Sequence, residues 1–238
     1  MGSDEALRYL VDFDESLVSK VNLLKELPGV GNVVTDNAGS PLVQAIFDAL
    51  PAAMKRCLTE MSESFARLHF ITGPAGTGKT YLMEVLILLA IFGNGIENPA
   101  KYKVLYILKN DAHGFSEDNK SQRLPNIDRY SDVQSPIDRA KNGHACSAEE
   151  TAAFKQQCEM VREFSGIMVT THAGCASPLL QQELQPDLII IDDASNMSET
   201  TSNYIMAHFE PKAWVITGDG THDYFQYDEA AEDHVDWV

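Results

Sequence analysis

LHFITGPAGTGKT, residues 68–80, decides the fold. A short, largely apolar run (68–73) reads as a strand entering a glycine loop. KTYLMEVLILLAIF (79–92) reads as a helix that stops at Gly93-Asn94-Gly95. Between them GPAGTGKT (73–80) satisfies G-x-x-x-x-G-K-[ST] in the strand–loop–helix setting that phosphate binding needs. Gly76 and Gly78 allow the backbone to curl so that successive N–H groups face one concavity, and the helix start adds partial positive charge. Gly73, Pro74, Ala75, Gly76, Thr77, Gly78, Lys79 and Thr80 are therefore the expected nucleotide cradle. In that cradle Lys79 reaches the β- and γ-phosphates and the Thr80 hydroxyl ligates Mg²⁺. At ordinary glycine usage such a match arises by chance in about 1% of chains this long, before the strand–helix context is counted.

Outward from this loop the chain alternates. Strands are expected at KVLYIL (103–108), GIMVTT (166–171), DLIIID (187–192) and AWVITG (213–218), making five with 68–73. Helices are expected from the Ser147-x-x-Glu150 capping signature to about Phe164, at 178–184 and at 198–209. Near-continuous apolar strands alternating with helices imply a parallel sheet covered on both faces, a three-layer α/β domain. Upstream, 15–27 has helical spacing and 28–41 (PGVGNVVTDNAGSP) reads as a connector. A helix follows with Leu42, Ile46 and Leu50 on one side, breaks near Pro51 and resumes. Residues 109–146 read as a polar surface excursion. The expected division is 1–40 as N-terminal helix and connector, 41–225 as the nucleotide-binding domain, and 226–238 as an acidic tail. Met1-Gly2-Ser3 reads as the remnant of an expression tag.

The second element of a phosphate site is a carboxylate at the end of a neighbouring strand. Asp192, after Leu188-Ile189-Ile190-Ile191, fits the magnesium shell. A helix-capping role falls more naturally to Ser198. Composition narrows the partners. With 35 acids against 18 bases the net charge is −17, which speaks against a general polyanion binder and asks for a local basic groove or a partner domain if nucleic acid is bound. The four cysteines include no CxxC pair and no secretory signal precedes them, so an intracellular setting, nuclear or cytoplasmic, is expected. His144, Cys146, His172 and Cys175 are a weak metal reading, because structural zinc sites pair their ligands more tightly. No apolar stretch is long enough to span a bilayer.

IMVTTHAGCASPLLQQELQPDLIIIDDASNMSE (167–199) resembles superfamily 1 helicases of the nonsense-mediated-decay and senataxin type, in which a TT-x-x-G-A-x-S-like segment leads to a strand ending DEAxQ. AWVITGDGTHDY (213–224) is similar to their third motif, GDxxQLPP. The resemblance covers roughly 41–225 and implies the first RecA-like domain of such an enzyme, a helicase-like ATPase with ATP and Mg²⁺ as cofactors. It gives Lys79, Thr80 and Asp192 their phosphate and magnesium roles and puts Asp193 at the catalytic glutamate. Asn196 falls on the glutamine of DEAxQ, and His222 on the glutamine that senses the γ-phosphate. Ala45-Ile46 and Ala49-Leu50 match the pattern after the adenine-reading glutamine, so Gln44 is the candidate for that role, Leu42 occupying the expected position. Asn110, Thr170 and Thr171 fall where the family contacts single-stranded RNA or DNA. Asp193, Asn196 and His222 all depart from the pattern on the side facing the γ-phosphate, which implies slow hydrolysis. The family builds its ATP site between two RecA-like domains, so full activity is expected to need the second domain, in a longer chain or from a protein partner. The alternative is an interaction module that binds nucleotide to order its surface for a protein partner, with hydrolysis lost.

Overall fold

The computed structural model describes residues 6–10, 18–97, 99–108 and 147–219. The excursion 109–146, the tail, Asn110 and His222 lie outside the described residues. The helical residues 6–10 (α1) precede a two-residue strand β1 (Lys20–Val21), helix α2 (Leu23–Glu26), α3 (Pro28–Val34), α4 (Pro41–Asp48) and α5 (Ala52–Glu60). Then come β2 (Ser64–Phe65), β3 (Leu68–Thr72), α6 (Lys79–Phe92), β4 (Lys103–Leu108), α7 (Ala148–Glu163), β5 (Gly166–Thr171), α8 (Pro178–Glu183), β6 (Leu188–Ile191), α9 (Glu199–His208) and β7 (Ala213–Gly218).

The seven strands form one sheet in the order β1-β2-β3-β7-β6-β4-β5. The five longer strands run parallel, as their apolar runs require. The two-residue β1 and β2, not foreseen in the sequence, are antiparallel additions at the β3 edge. One face of the sheet carries Ile71, Val104, Tyr106, Leu188, Ile190 and Val215 against α2–α6. The other carries Leu68, Leu105, Ile107, Ile189, Ile191 and Trp214 against Leu184 and the α9 side chains Ile205 and Met206. This is a three-layer mixed α/β arrangement, with β6 buried along its whole length.

Two expectations at the N-terminal side are corrected. The helix foreseen over 15–27 is, among its described residues, β1 followed by the single turn α2. The foreseen connector is helix α3 as far as Val34, with Pro28 at its start, where a missing N–H costs nothing. Its glycines are there for packing. A Cβ on Gly29 would lie 2.7 Å from the carbonyl oxygens of Leu89 and Ala90, and one on Gly31 would lie 2.4 Å from that of Leu24. Val30 and Val33 then enter the same core as α6, so this stretch is continuous with the packing of the sheet. The α4 stripe also differs. Val43, Phe47 and Leu50 are buried, whereas Leu42 is 60% exposed. Positions 43, 47 and 50 keep helical i, i+4, i+7 spacing on a face rotated from the one expected.

Candidate nucleotide site

All five parallel strands end on one edge of the sheet, and that edge gathers the motif residues. β3 ends at Thr72 and turns into the glycine loop, whose Gly73 N–H donates to the Gly218 carbonyl at the end of β7 (3.2 Å). Gly76 and Gly78 have φ of 79° and 84°, left-handed conformations that strain any residue with a Cβ. Gly78 is the N-cap of α6, and Pro74–Thr77 stand exposed at the crest. The Lys79 ammonium donates to the carbonyls of Gly73 (2.6 Å) and Pro74 (3.0 Å), which holds the charge over the concavity. Thr77 closes the crest with a hydroxyl bond to the Pro74 carbonyl (2.8 Å).

β7 lies between β3 and β6, so the loop and the acid strand are two strand spacings apart, roughly 10 Å. Helix α6 spans that gap. The Thr80 hydroxyl donates to Asp192 Oδ2 at 3.1 Å, joining residues 112 apart in sequence. Asp192 is 9% exposed, and both its oxygens are engaged. The Tyr106 hydroxyl donates to Oδ2 (2.6 Å) and the Thr217 hydroxyl to Oδ1 (2.7 Å). Burial, and then the bond to Asp192, push the Tyr106 phenol far above its ordinary range, so it is a permanent donor.

Asp193 is exposed and has a left-handed backbone, φ 55° and ψ 45°. Its N–H donates to Thr217 Oγ1 (3.2 Å), and its Oδ1 accepts from the Ser195 hydroxyl (3.2 Å). Ser195 Oγ in turn accepts from the backbone N–H of the buried Asp219 (3.2 Å). The hydroxyls of Tyr106, Thr217 and Ser195 thus link β4, the acid pair and the end of β7. Sequence reasoning missed all three. For Tyr106 and Thr217 the available signal was a lone hydroxyl in an apolar strand, in KVLYIL and in AWVITG.

Gln44 is not brought to the loop. The α4 N-cap Ser40 donates its N–H to the carbonyl of Gly93 (3.3 Å), beyond the far end of α6, whose 14 residues span roughly 21 Å. Gln44 lies one turn further on, with Nε2 donating to Asp48 (3.3 Å) and Oε1 buried without a partner. The side chain beside the loop is instead Met54 of α5, whose Cε lies 2.6 Å from a Cβ built on Gly78. Thr170 and Thr171 end the edge strand β5. The Thr171 hydroxyl accepts from the Gly174 N–H (3.1 Å), a local turn bond, while Thr170 reaches the Thr171 carbonyl at 3.5 Å. Asn196 lies in the 3₁₀ turn that follows Asp193.

No protein-family model matches the chain, and no curated protein matches it. No helix among the described residues is long and apolar enough to cross a membrane. Also among the described residues, no three His, Cys, Asp or Glu side chains are grouped as metal ligands.

Proposed function

We propose that this chain is the first RecA-like domain of a superfamily 1 helicase-like ATPase, binding Mg-ATP at Gly73–Thr80 with Asp192. The observation that carries this reading is the Thr80–Asp192 contact, a hydroxyl and a carboxylate oxygen closing on each other at the mouth of the glycine loop. Hard oxygen donors of this kind suit Mg²⁺, which keeps several waters and takes one or two protein oxygens plus phosphates. When bound, the ion would neutralise charge on the β- and γ-phosphates. The chain's own residues supply the rest. Loop N–H groups receive phosphate oxygens, Lys79 exchanges its loop carbonyls for phosphate, and Asp193 faces solvent as the acceptor that would orient a water.

In this reading the site works within the cell, nuclear or cytoplasmic, with a second RecA-like domain or a protein partner completing it. Single-stranded RNA or DNA would be the polymer substrate. Calorimetry of ATP binding tests it: Lys79→Ala abolishes binding, and unchanged affinity refutes the site. A second reading, a nucleotide-binding interaction module without turnover, is favoured by the short acid at 193 and by the net charge of −17. Steady-state turnover with and without single-stranded RNA or DNA separates the two. Stimulation marks the motor, and tight binding without turnover marks the module.

A further inference from the structure

Resting on the Mg-ATP reading, we infer that Tyr106 and Thr217 are positioning residues that fix the Asp192 carboxylate for a metal ion, while Thr80 is its exchangeable partner. The three donors to Asp192 differ in kind. Tyr106 projects from β4 and Thr217 from β7, the strands on either side of β6, so each is held by a parallel ladder. Thr80 is on α6, in the first turn after the glycine loop. Register explains the row. Ile191 pairs with Ile216, which puts Thr217 beside Asp192, and Tyr106 pairs with Ile190, which puts it on the other side, two residues back and so on the same face as Asp192.

The carboxylate is thereby gripped from both flanks at 2.6 and 2.7 Å, the shorter range expected for donors to a charged oxygen, while the Thr80 bond is the long one at 3.1 Å. A metal entering the loop would take the Thr80 hydroxyl and leave the flanking grip intact. One lone pair of Oδ2 would then be turned to the ion or its water. Thr217 acts on the neighbouring acid as well. Its oxygen accepts the Asp193 N–H, so the same side chain sets the spacing of the two acids. A carboxylate without this grip would have to be ordered by the metal itself, and the cost would appear as weaker metal-dependent binding.

The experiment is calorimetric titration of the full chain with ATP, once in Mg²⁺ and once in EDTA, for wild type, Tyr106→Phe, Thr217→Val and Thr217→Ser. The expected result is about 10-fold weaker ATP binding in Mg²⁺ for Tyr106→Phe and Thr217→Val, the scale of one hydrogen bond to a charged group. Their EDTA affinities should stay within about twofold of wild type, a surface-substitution-sized change. Thr217→Ser, which keeps the hydroxyl, should restore the Mg²⁺ response. Equal losses in Mg²⁺ and EDTA would make the two residues merely structural and overturn the inference. Unchanged or tighter Mg²⁺-dependent binding would overturn it too. Wild-type chain that binds ATP in neither condition would overturn the nucleotide reading itself, a result distinguishable from both.

Discussion

Asp193 is the residue at which a change should separate backbone from chemistry. Its φ of 55° and ψ of 45° place it in the left-handed region, which costs L-residues about 1–2 kcal/mol and is tolerated best by Gly, Asn and Asp. Its carboxylate also takes the Ser195 hydroxyl at 3.2 Å, an exposed bond whose net value is about 0.5–1 kcal/mol. Asp193→Glu keeps the charge, loses the short-chain tolerance of that backbone and carries the carboxylate one methylene past Ser195. The summed expectation is a loss of about 1–2 kcal/mol. For a domain of this size that lowers the melting temperature by ~2–4 °C per kcal/mol.

Turnover should move the other way. If the short acid sits about 1 Å from its productive position, restoring the reach returns up to ~100-fold in rate. The assay is urea or thermal unfolding alongside steady-state ATP turnover, with Asp193→Ala and Asp193→Gly as backbone controls. Both controls lack the carboxylate, so their difference reports the backbone alone. Glycine should be the more stable by about 1 kcal/mol, the reverse of their order in a helix interior. Alanine equal to or more stable than glycine would refute the strain argument. Unchanged turnover in Asp193→Glu would show that reach at 193 does not limit the rate.

Three further outcomes follow from the packing. Gln44→Ala should leave ATP affinity within about twofold, as expected of a residue outside the site, and calorimetry showing a larger loss would return Gln44 to base recognition. Gly29→Ala should destabilise by about 1–3 kcal/mol in urea unfolding although its place in a helix favours alanine, because the new methyl meets two backbone carbonyls at 2.7 Å. His69 supplies a pH dependence. It is 8% exposed, burial lowers its pKa from 6.5, its bond to the Cys57 backbone and the nearby Glu60 oppose that shift, and its Nε2 has no partner. Because the folded pKa is the depressed one, the unfolded chain binds the extra proton. The contribution is then full above pH 6.5 and is lost as pH falls from 6.5 through the folded value, by at most about 1.4 kcal/mol per pH unit. The wild-type-minus-His69→Phe difference in urea midpoints should therefore fall as pH drops below 6.5, and a difference that stays flat with pH would assign the dependence to other groups.

The strands were legible because a parallel sheet buried on both faces demands apolar runs. KVLYIL, GIMVTT and AWVITG are strands to the residue, and the Ser147 capping box opens its helix as read. What failed was local reading where tertiary contact decides. PGVGNVV has the composition of a connector, yet Gly29 and Gly31 are there so that α3 can lie against the backbones of α6 and α2. Flexible-looking composition and close helix packing use the same residue, and only the neighbour tells them apart. The two-residue strands β1 and β2 are too short to show a period. On α4, Val43 and Phe47 face inward and Leu42 outward, a rotation that three apolar residues in four positions leave undetermined.

At the site, the sequence could name charged residues but not the hydroxyls between them. Asp192 and Thr80 stand out because motif spacing marks both. Tyr106 and Thr217 occupy strand positions whose only distinction is an oxygen, and their meaning depends on the order β7-β6-β4, which no local pattern encodes. The αL backbone at Asp193 is equally silent in sequence, yet it changes how the short acid is understood. In sequence, an aspartate where the resembled family has glutamate reads as simple attenuation. With φ at 55° and a hydroxyl from Ser195 on its oxygen, the same aspartate is the acid that this turn holds with least strain. Shortening the side chain and tightening the turn are then one adjustment. A glutamate introduced alone should gain reach while losing its support, which is why stability and turnover must be measured together.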